Sequence, residues 1–153
     1  MSTQAKQNYT IQEATKLTGL TSSTLRYYET IGLIPPVQRD SSSKYRVYSE
    51  DDINYIVSIA CLSATGMSID AMQEYLKNVD VGASMAGEQV KLLDDQNARL
   101  IEEEQNLKLR QKYLQTKAKY WKAVATGDQD LADAISEQAV AIAKEVKLSQ
   151  AQH

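Results

Sequence analysis

The segment from Thr10 to Pro36 constrains the fold of this chain more than any other. Thr10 precedes an apolar-periodic run and Glu13 follows three residues later, so each side chain can accept a hydrogen bond from the other residue's backbone N–H. Gly19 can close the resulting short helix, because glycine adopts the left-handed conformation without a steric penalty. The spacing therefore predicts a capped helix of about two turns.

A second short helix is predicted directly after it. Thr21 is the next candidate N-cap, and the helix should run over residues 22–30 with Leu25 and Ile31 as core contacts. A glycine and a Pro-Pro pair beyond Ile31 prevent it from continuing. Two short helices joined by a glycine-containing turn form a helix-turn-helix unit, the motif that places its second helix in the major groove of DNA.

Residues 37–48 alternate β-forming residues around a Ser-rich centre, which predicts a short hairpin of the kind called a wing. Cations and hydroxyls on such a hairpin suit phosphate oxygens, the contacts that position a protein on DNA without reading its sequence. The wing residues that carry these groups are Lys44, Tyr45, Arg46 and Tyr48.

Two further helices should complete a compact head. Ser49 and Asp52 can form a second capping box, Gly66 should close that third helix, and Ser68 can cap a fourth. The residues predicted to face inward are Ile53, Ile56, Val57, Ala60, Ala64, Ile69, Met72, Leu76 and, less regularly, Tyr75.

A long helix should follow, because residues 88–126 contain neither proline nor glycine. Its apolar residues recur at alternating spacings of three and four, which is a heptad pattern with mostly polar a positions and leucine at most d positions. One copy alone would leave this stripe exposed, so we expect self-association, with folding back onto the head as the alternative. The predicted dimerisation residues are Leu93, Leu100, Leu107, Leu114 and Trp121.

The predicted fold class is thus mainly all-α: a winged helix-turn-helix head with a small β-hairpin wing, followed by a long coiled-coil dimerisation helix. We expect the head over residues 8–80, the coiled-coil helix over 85–125, and a short C-terminal helix or tail over 126–153.

Composition narrows the class of protein. No apolar run approaches a membrane span, the amino terminus lacks the apolar core of a signal peptide, and one cysteine cannot form an internal disulfide, so a cytoplasmic protein is expected. The net charge is −3, but residues 1–50 hold six Lys/Arg against four Asp/Glu. The amino-terminal part is therefore the candidate for phosphate contact.

The segments 9–13, 24–36, 45–52 and 66–69, above all Thr-Leu-Arg-Tyr-Tyr-Glu with Gly-Leu-Ile-Pro-Pro, resemble the MerR family of bacterial transcription regulators. The resemblance implies a homodimer joined through an antiparallel coiled coil and bound to double-stranded promoter DNA. It further implies that effector binding distorts an over-long promoter spacer, which acts on RNA polymerase indirectly, through the DNA. Neither a cofactor nor an enzymatic activity is implied.

The resemblance places the second helix in the major groove, with Arg26 and the Tyr27–Tyr28 pair near bases and phosphates. Adjacent helical residues point in different directions, so one ring of this pair can instead belong to the core. Lys44 stands where the family usually has glycine, which implies either a positive φ or a different turn type. The predicted DNA-contacting residues are Thr10, Ser22, Ser23, Arg26, Tyr27, Tyr28, Lys44, Tyr45 and Arg46.

The effector is indicated mainly by what the sequence lacks. Metal-responsive relatives carry paired cysteines near the end of the long helix. This sequence has no cysteine in that region, and its only histidine is His153, so no metal site is expected. Residues 59–69 and 117–122 resemble the subgroup that responds to aldehydes and other electrophiles, which makes Cys61 the predicted sensor. Cys61 also lies on an apolar side of its helix, so a buried core cysteine is the alternative.

Three other functions are weighed against electrophile sensing. A MerR-type regulator can bind a small molecule non-covalently, with Tyr75, Tyr113, Tyr120 and Trp121 as candidate pocket residues. An architectural DNA-binding protein rarely needs the long leucine-striped helix. An enzyme with Cys61 as nucleophile would need a neighbouring base, and this sequence has no histidine outside its terminus.

Overall fold

The computed structural model describes residues 7–151 of the 153-residue chain. Residues 1–6, which belong to the segment predicted not to be a signal peptide, lie outside the described residues. The same holds for His153. None of the helices in the described part combines the length and apolarity needed to cross a membrane. The elements are β1 (Asn8–Tyr9), α1 (Ile11–Thr18), α2 (Ser22–Thr30), β2 (Tyr48–Ser49), α3 (Glu50–Ala64), α4 (Ile69–Val81), a 3-10 turn (Ala83–Met85), α5 (Ala86–Thr126) and α6 (Gln129–Gln150).

The predicted helix starts are confirmed. The Thr10 N–H donates to Glu13 Oε2 at 2.9 Å, and the Glu13 N–H donates to Thr10 Oγ1 at 3.2 Å. Ser49 and Asp52 make the same reciprocal pair at the start of α3. Each such cap contributes about 1 kcal/mol, so these starts are specified by residues that lie next to each other in sequence.

The chain forms two compact units, residues 1–96 and 97–153. The first contains α1–α4 and the antiparallel β1–β2 pair, in which Tyr9 faces Tyr48. On α3 the buried residues are Ile53, Ile56 and Ile59, so the predicted inward-facing set was partly wrong: Ala64 is exposed, and the fully buried Ile59 was missed. The core of this unit consists of Ala14, Leu25, Tyr28, Leu33, Ile34, Val37, Tyr48, Ile53, Ile56, Ile59, Met67 and Met72.

Two glutamines attach the start of α5 to the rest of the first unit. Gln96, only 7% exposed, donates from Nε2 to the Thr65 carbonyl at 2.7 Å, in the turn between α3 and α4. Gln89 donates to the Tyr75 carbonyl at 2.8 Å and accepts from Asn78 at 3.1 Å. Buried amides in such contacts fix the direction of a helix, because a misplaced amide would lose its partner inside the protein.

The second unit is a helical hairpin formed by α6 and the part of α5 that follows Gln96. Gly127 takes a left-handed conformation, and the N–H groups of Gly127 and Asp128 donate back to the carbonyls of Val124 and Ala123 at 3.1 Å each. This pattern is a Schellman motif, and the Asp128 carboxylate then accepts the Leu131 N–H at the start of α6. The predicted C-terminal helix is confirmed; it packs on α5 through Tyr120, Ala123, Ala132 and Ile135. The functional division at 8–80, 85–125 and 126–153 stays a prediction.

Leu25→Ala should destabilise the first unit by roughly 2–5 kcal/mol, because it empties a site that is 1% exposed in the core. Leu17→Ala on α1 is the matched control: Leu17 is 50% exposed, so the cost should stay within about 0.5 kcal/mol. Denaturant unfolding of both variants measures the difference. Equal losses for the two leucines would contradict the core described above.

Candidate nucleic-acid interface

The second helix of the pair, α2, presents a polar outer face. Its N-cap, Thr21, accepts the Thr24 N–H at 3.2 Å, as predicted. Arg26 is exposed on this helix, and Tyr27 is 50% exposed. Ser23 is also exposed, whereas Ser22 is half-buried at the first turn. The face of α2 that is open to solvent therefore carries a guanidinium, a phenol and a hydroxyl.

Tyr28 does not share this face. Its side chain is part of the core at 6% exposure, and its hydroxyl lies 3.1 Å from Ser63 Oγ on α3. The inclusion of Tyr28 among the DNA contacts is therefore corrected: adjacent residues on a helix diverge in direction, and here Tyr27 points outward while Tyr28 points inward. The two ring centroids remain 6.3 Å apart.

Residues 38–47 form the predicted hairpin. Arg39 pairs with Arg46 across it, and the Val47 N–H donates to the Gln38 carbonyl at 2.8 Å. The turn is built on Asp40, whose carboxylate accepts the N–H groups of Ser42 and Ser43 at 2.9 and 2.8 Å. These hydrogen bonds, led by that from the Ser43 backbone and followed by the Ser42 hydroxyl, lower the pKa of Asp40 to about 2. The one carboxylate at the wing tip is thus engaged by the turn itself.

Lys44 adopts a φ of 63°. Of the two expected outcomes, a positive φ or a different turn type, the chain therefore has the positive φ. A non-glycine residue pays roughly 1–2 kcal/mol for this conformation. Hydrogen bonds hold it on both sides: the Lys44 N–H donates to the Asp40 carbonyl at 2.9 Å, and Arg39 Nη1 donates to the Lys44 carbonyl at 3.1 Å. The exposed Lys44 and Tyr45 side chains are free to reach a ligand from the wing tip.

Glu29, at the end of α2, joins that helix to the wing. Its Oε2 accepts from Arg46 Nε at 2.7 Å, and its Oε1 accepts from the Val37 N–H at 3.4 Å. The Arg46 and Glu29 side chains are only 19% and 15% exposed. Arg46 was predicted as an open wing cation, whereas the structure pairs it with a carboxylate 17 residues earlier.

Tyr48, also predicted as a wing residue, is buried next to this pair. Burial raises the pKa of Tyr48, whose hydroxyl has no hydrogen-bond partner among residues 7–151.

The start of α1, the face of α2 and the wing together enclose a cleft of about 360 Å³. Three guanidinium groups line it; Arg46 is paired with Glu29, so Arg26 and Arg39 are the two that suit an anion such as a backbone phosphate. Arg39 was not predicted as a site residue. Its position opposite Arg46 in the predicted hairpin is the sequence signal that could have identified it. The lining residues are Thr10, Ile11, Gln12, Arg26, Arg39, Tyr45 and Arg46.

Cys61 lies on α3 and is exposed, so the alternative of a buried core cysteine does not hold. Its carbonyl accepts the Thr65 N–H at 3.3 Å, one residue before Gly66 ends the turn of α3. Exposure is one condition that a thiol must meet to react with an electrophile. Within residues 7–151, no group of three or more His, Cys, Asp or Glu side chains is arranged to hold a metal ion.

The fold and the cleft define a winged helix-turn-helix protein. Residues 9–79 match the model of the MerR helix-turn-helix family of regulatory proteins. A MerR family transcriptional regulator of known structure from Bacillus thuringiensis is 31% identical, with a TM-score of 0.59, and the alignment covers 73% of this chain and 97% of that one. The chain therefore belongs to the MerR family.

Two other relatives are informative. The transcriptional regulator AdhR of Bacillus subtilis is 44% identical over 92 residues, which are 60% of this chain and 65% of AdhR. This chain thus spans less than two thirds of that curated relative. HiNmlR, a MerR family regulator lacking the sensor domain and crystallised bound to promoter DNA, is 28% identical; the alignment covers 84% of this chain and 96% of HiNmlR, with a TM-score of 0.69. These relatives are named as regulators and not as enzymes, in agreement with the prediction.

Tyr28→Phe should lower the free energy of unfolding by about 1 kcal/mol, because it removes the hydrogen bond to Ser63 and leaves that hydroxyl part-buried without a partner. Tyr27→Phe, the matched change on the exposed ring, should alter stability by less than about 0.5 kcal/mol. Chemical denaturation provides the measurement. A larger loss for Tyr27 than for Tyr28 would contradict their assignment to surface and core.

Proposed function

We propose that this protein is a MerR-type transcription regulator that binds double-stranded promoter DNA, with α2 in the major groove and the wing on the adjacent backbone. The observation that carries the proposal is the arginine-lined cleft between the start of α1, the face of α2 and the wing. An exposed helix flanked by guanidinium groups matches what a duplex offers, namely base edges in the groove and phosphates beside it. The structure of HiNmlR on promoter DNA supports this assignment.

The proposed contacts divide by chemistry. Arg26 can read guanine through O6 and N7 or grip a phosphate, since its guanidinium is exposed on α2. Tyr27 can donate its hydroxyl to a phosphate. Ser22, Ser23 and Thr10 have small hydroxyl side chains near helix starts, where hydroxyls and backbone N–H groups commonly meet phosphates. From the wing, Lys44 and Tyr45 are proposed to contact the backbone; Tyr45 is 78% exposed.

A homodimer is proposed to form through α5. Leu100, Leu107, Leu114 and Trp121 recur every seven residues and are 36%, 55%, 68% and 61% exposed. Leu93 stands one heptad earlier, in the part of α5 that belongs to the first unit, and is 42% exposed. A leucine stripe of this kind is removed from water only when the helix associates with another surface. A coiled coil between two copies in antiparallel orientation would bury it.

Effector sensing is proposed to reside at Cys61. The exposed Cys61, as thiolate, can attack the carbonyl carbon of an aldehyde: a C–S bond forms as the C=O π bond opens, and the oxygen takes a proton to give a hemithioacetal. An adduct at the end of α3 would alter the turn that Gln96 contacts. The activated dimer would then distort an over-long promoter spacer and so act on RNA polymerase through the DNA alone. The exposure of Cys61 supports this mechanism, because an electrophile can reach the thiol from solvent.

The first experiment combines DNA binding with in vitro transcription from the promoter upstream of the gene for this protein or its neighbour. The wild type should shift the fragment with and without an aldehyde but activate transcription only with it. Cys61→Ser should bind equally well and stay inactive, because serine is not an effective nucleophile at neutral pH. An undiminished aldehyde response in this variant would remove Cys61 from the mechanism, while failure of the wild type to bind would reject the DNA-binding proposal.

Leu107→Glu should convert the dimer into a monomer, because it places a charge in the centre of the leucine stripe. Gln105→Glu introduces the same charge two residues earlier, on the opposite side of the helix, and should leave the dimer intact. Analytical ultracentrifugation at micromolar concentration reads out the assembly. A dimeric Leu107→Glu variant would place the interface elsewhere.

A further inference from the structure

We propose that Glu29 is a positioning residue that fixes the wing to the recognition helix α2, and that Arg46 supports DNA binding through this ion pair instead of through its own phosphate contact. The inference rests on the proposed DNA-binding function and assigns roles within that site.

The geometry makes Glu29 a two-point attachment. One carboxylate oxygen accepts from Arg46, near the end of the hairpin, at 2.7 Å, and the other accepts from the Val37 N–H, immediately before the hairpin, at 3.4 Å. The helix that would enter the major groove thus holds both sides of the wing at its base. A rotation of the wing away from α2 would break both contacts at once.

Burial makes the attachment strong. Both side chains of the ion pair are more than four-fifths buried, so solvent screens their attraction less than it screens an exposed pair. A guanidinium that is already paired with a carboxylate also releases fewer counterions when DNA arrives, since its charge is neutralised beforehand. Arg46 is therefore a poor candidate for a phosphate contact.

The wing cations left open lie further out. Arg39 and Lys44 have no carboxylate within 4.0 Å among the residues that the structure describes. Arg39 faces Arg46 across the hairpin and donates to the Lys44 carbonyl, so all three residues move with the base of the wing. Fixing Arg46 on Glu29 thereby fixes the two cations that can reach a phosphate.

The salt dependence of DNA binding tests this assignment, because log K falls with log[salt] by about 0.9 for each phosphate contact. The probe is the same promoter fragment, titrated with the full-length protein over a range of KCl concentrations. Glu29→Gln removes a negative charge, so charge alone predicts tighter binding. Positioning predicts the reverse: weaker binding and a shallower slope, because the wing cations are no longer held against the backbone.

A double-mutant cycle with Arg39→Met separates positioning from a general loss of stability. In the wild type, Arg39→Met should reduce the slope by about 1.8 for a dimer, one contact on each subunit. In the Glu29→Gln background the same change should have little effect, because the wing is already displaced. Glu74→Gln on α4 is the matched control for charge, since it neutralises an exposed carboxylate of the same unit and should leave the slope unchanged or slightly steeper.

Glu29→Asp provides a second variant should Glu29→Gln fail to fold. It keeps the charge but is one methylene too short to span Arg46 and Val37, so it should also flatten the slope. An unchanged slope in a folded Glu29 variant, or an Arg39→Met effect of equal size in both backgrounds, would overturn the inference. If the wild type itself shows no salt-dependent binding to the fragment, the proposed function fails, which distinguishes that outcome from failure of the positioning role.

Discussion

The burial of one apolar cluster by α1–α4 is the constraint on which the first unit depends. Leu25 and Tyr28 of α2 enter the same core as Ile56 and Ile59 of α3, and each fully buried aliphatic side chain contributes roughly 1.5–3 kcal/mol. The helix caps contribute about 1 kcal/mol each, so they decide where helices begin while the core decides how the helices pack. The outward direction of Arg26 and Tyr27 follows from the inward direction of Leu25 and Tyr28.

The features that the sequence predicts well are those set by neighbouring residues. Both capping boxes, the end of α1 at Gly19 and the extent of α5 follow from signals within a few positions of each other. The features that it predicts poorly depend on partners far along the chain. Tyr28 is directed inward in contact with Ser63, 35 residues later, and Arg46 is paired with Glu29, 17 residues earlier. Cys61 is exposed although its spacing from Val57 favours burial, because the buried stripe of α3 follows Ile53, Ile56 and Ile59 instead.

The net charge of −3 describes the cleft poorly, because the local carboxylates are already engaged. Asp40 accepts four hydrogen bonds from Ser42 and Ser43, and Glu29 accepts from Arg46 and Val37. Glu29 is thus paired with a cation, whereas Asp40 keeps its negative charge beside the exposed Arg39 and Lys44. The sequence supplies these charges, but only the folded hairpin shows which of them are neutralised, since that depends on distances across the wing and not on their count.

The hairpin of α5 and α6 has a consequence for how two copies would meet. An isolated helix as polar as α5 is marginal in water, and ordering it during association would consume part of the binding free energy. The Schellman turn at Gly127 and the packing of Ala132 and Ile135 already hold the distal part of α5 within a single chain. The opposite, leucine-bearing side is thus formed before any partner arrives. In the proposed dimer, association would join two preformed surfaces, and encounter and orientation rather than folding would limit its rate.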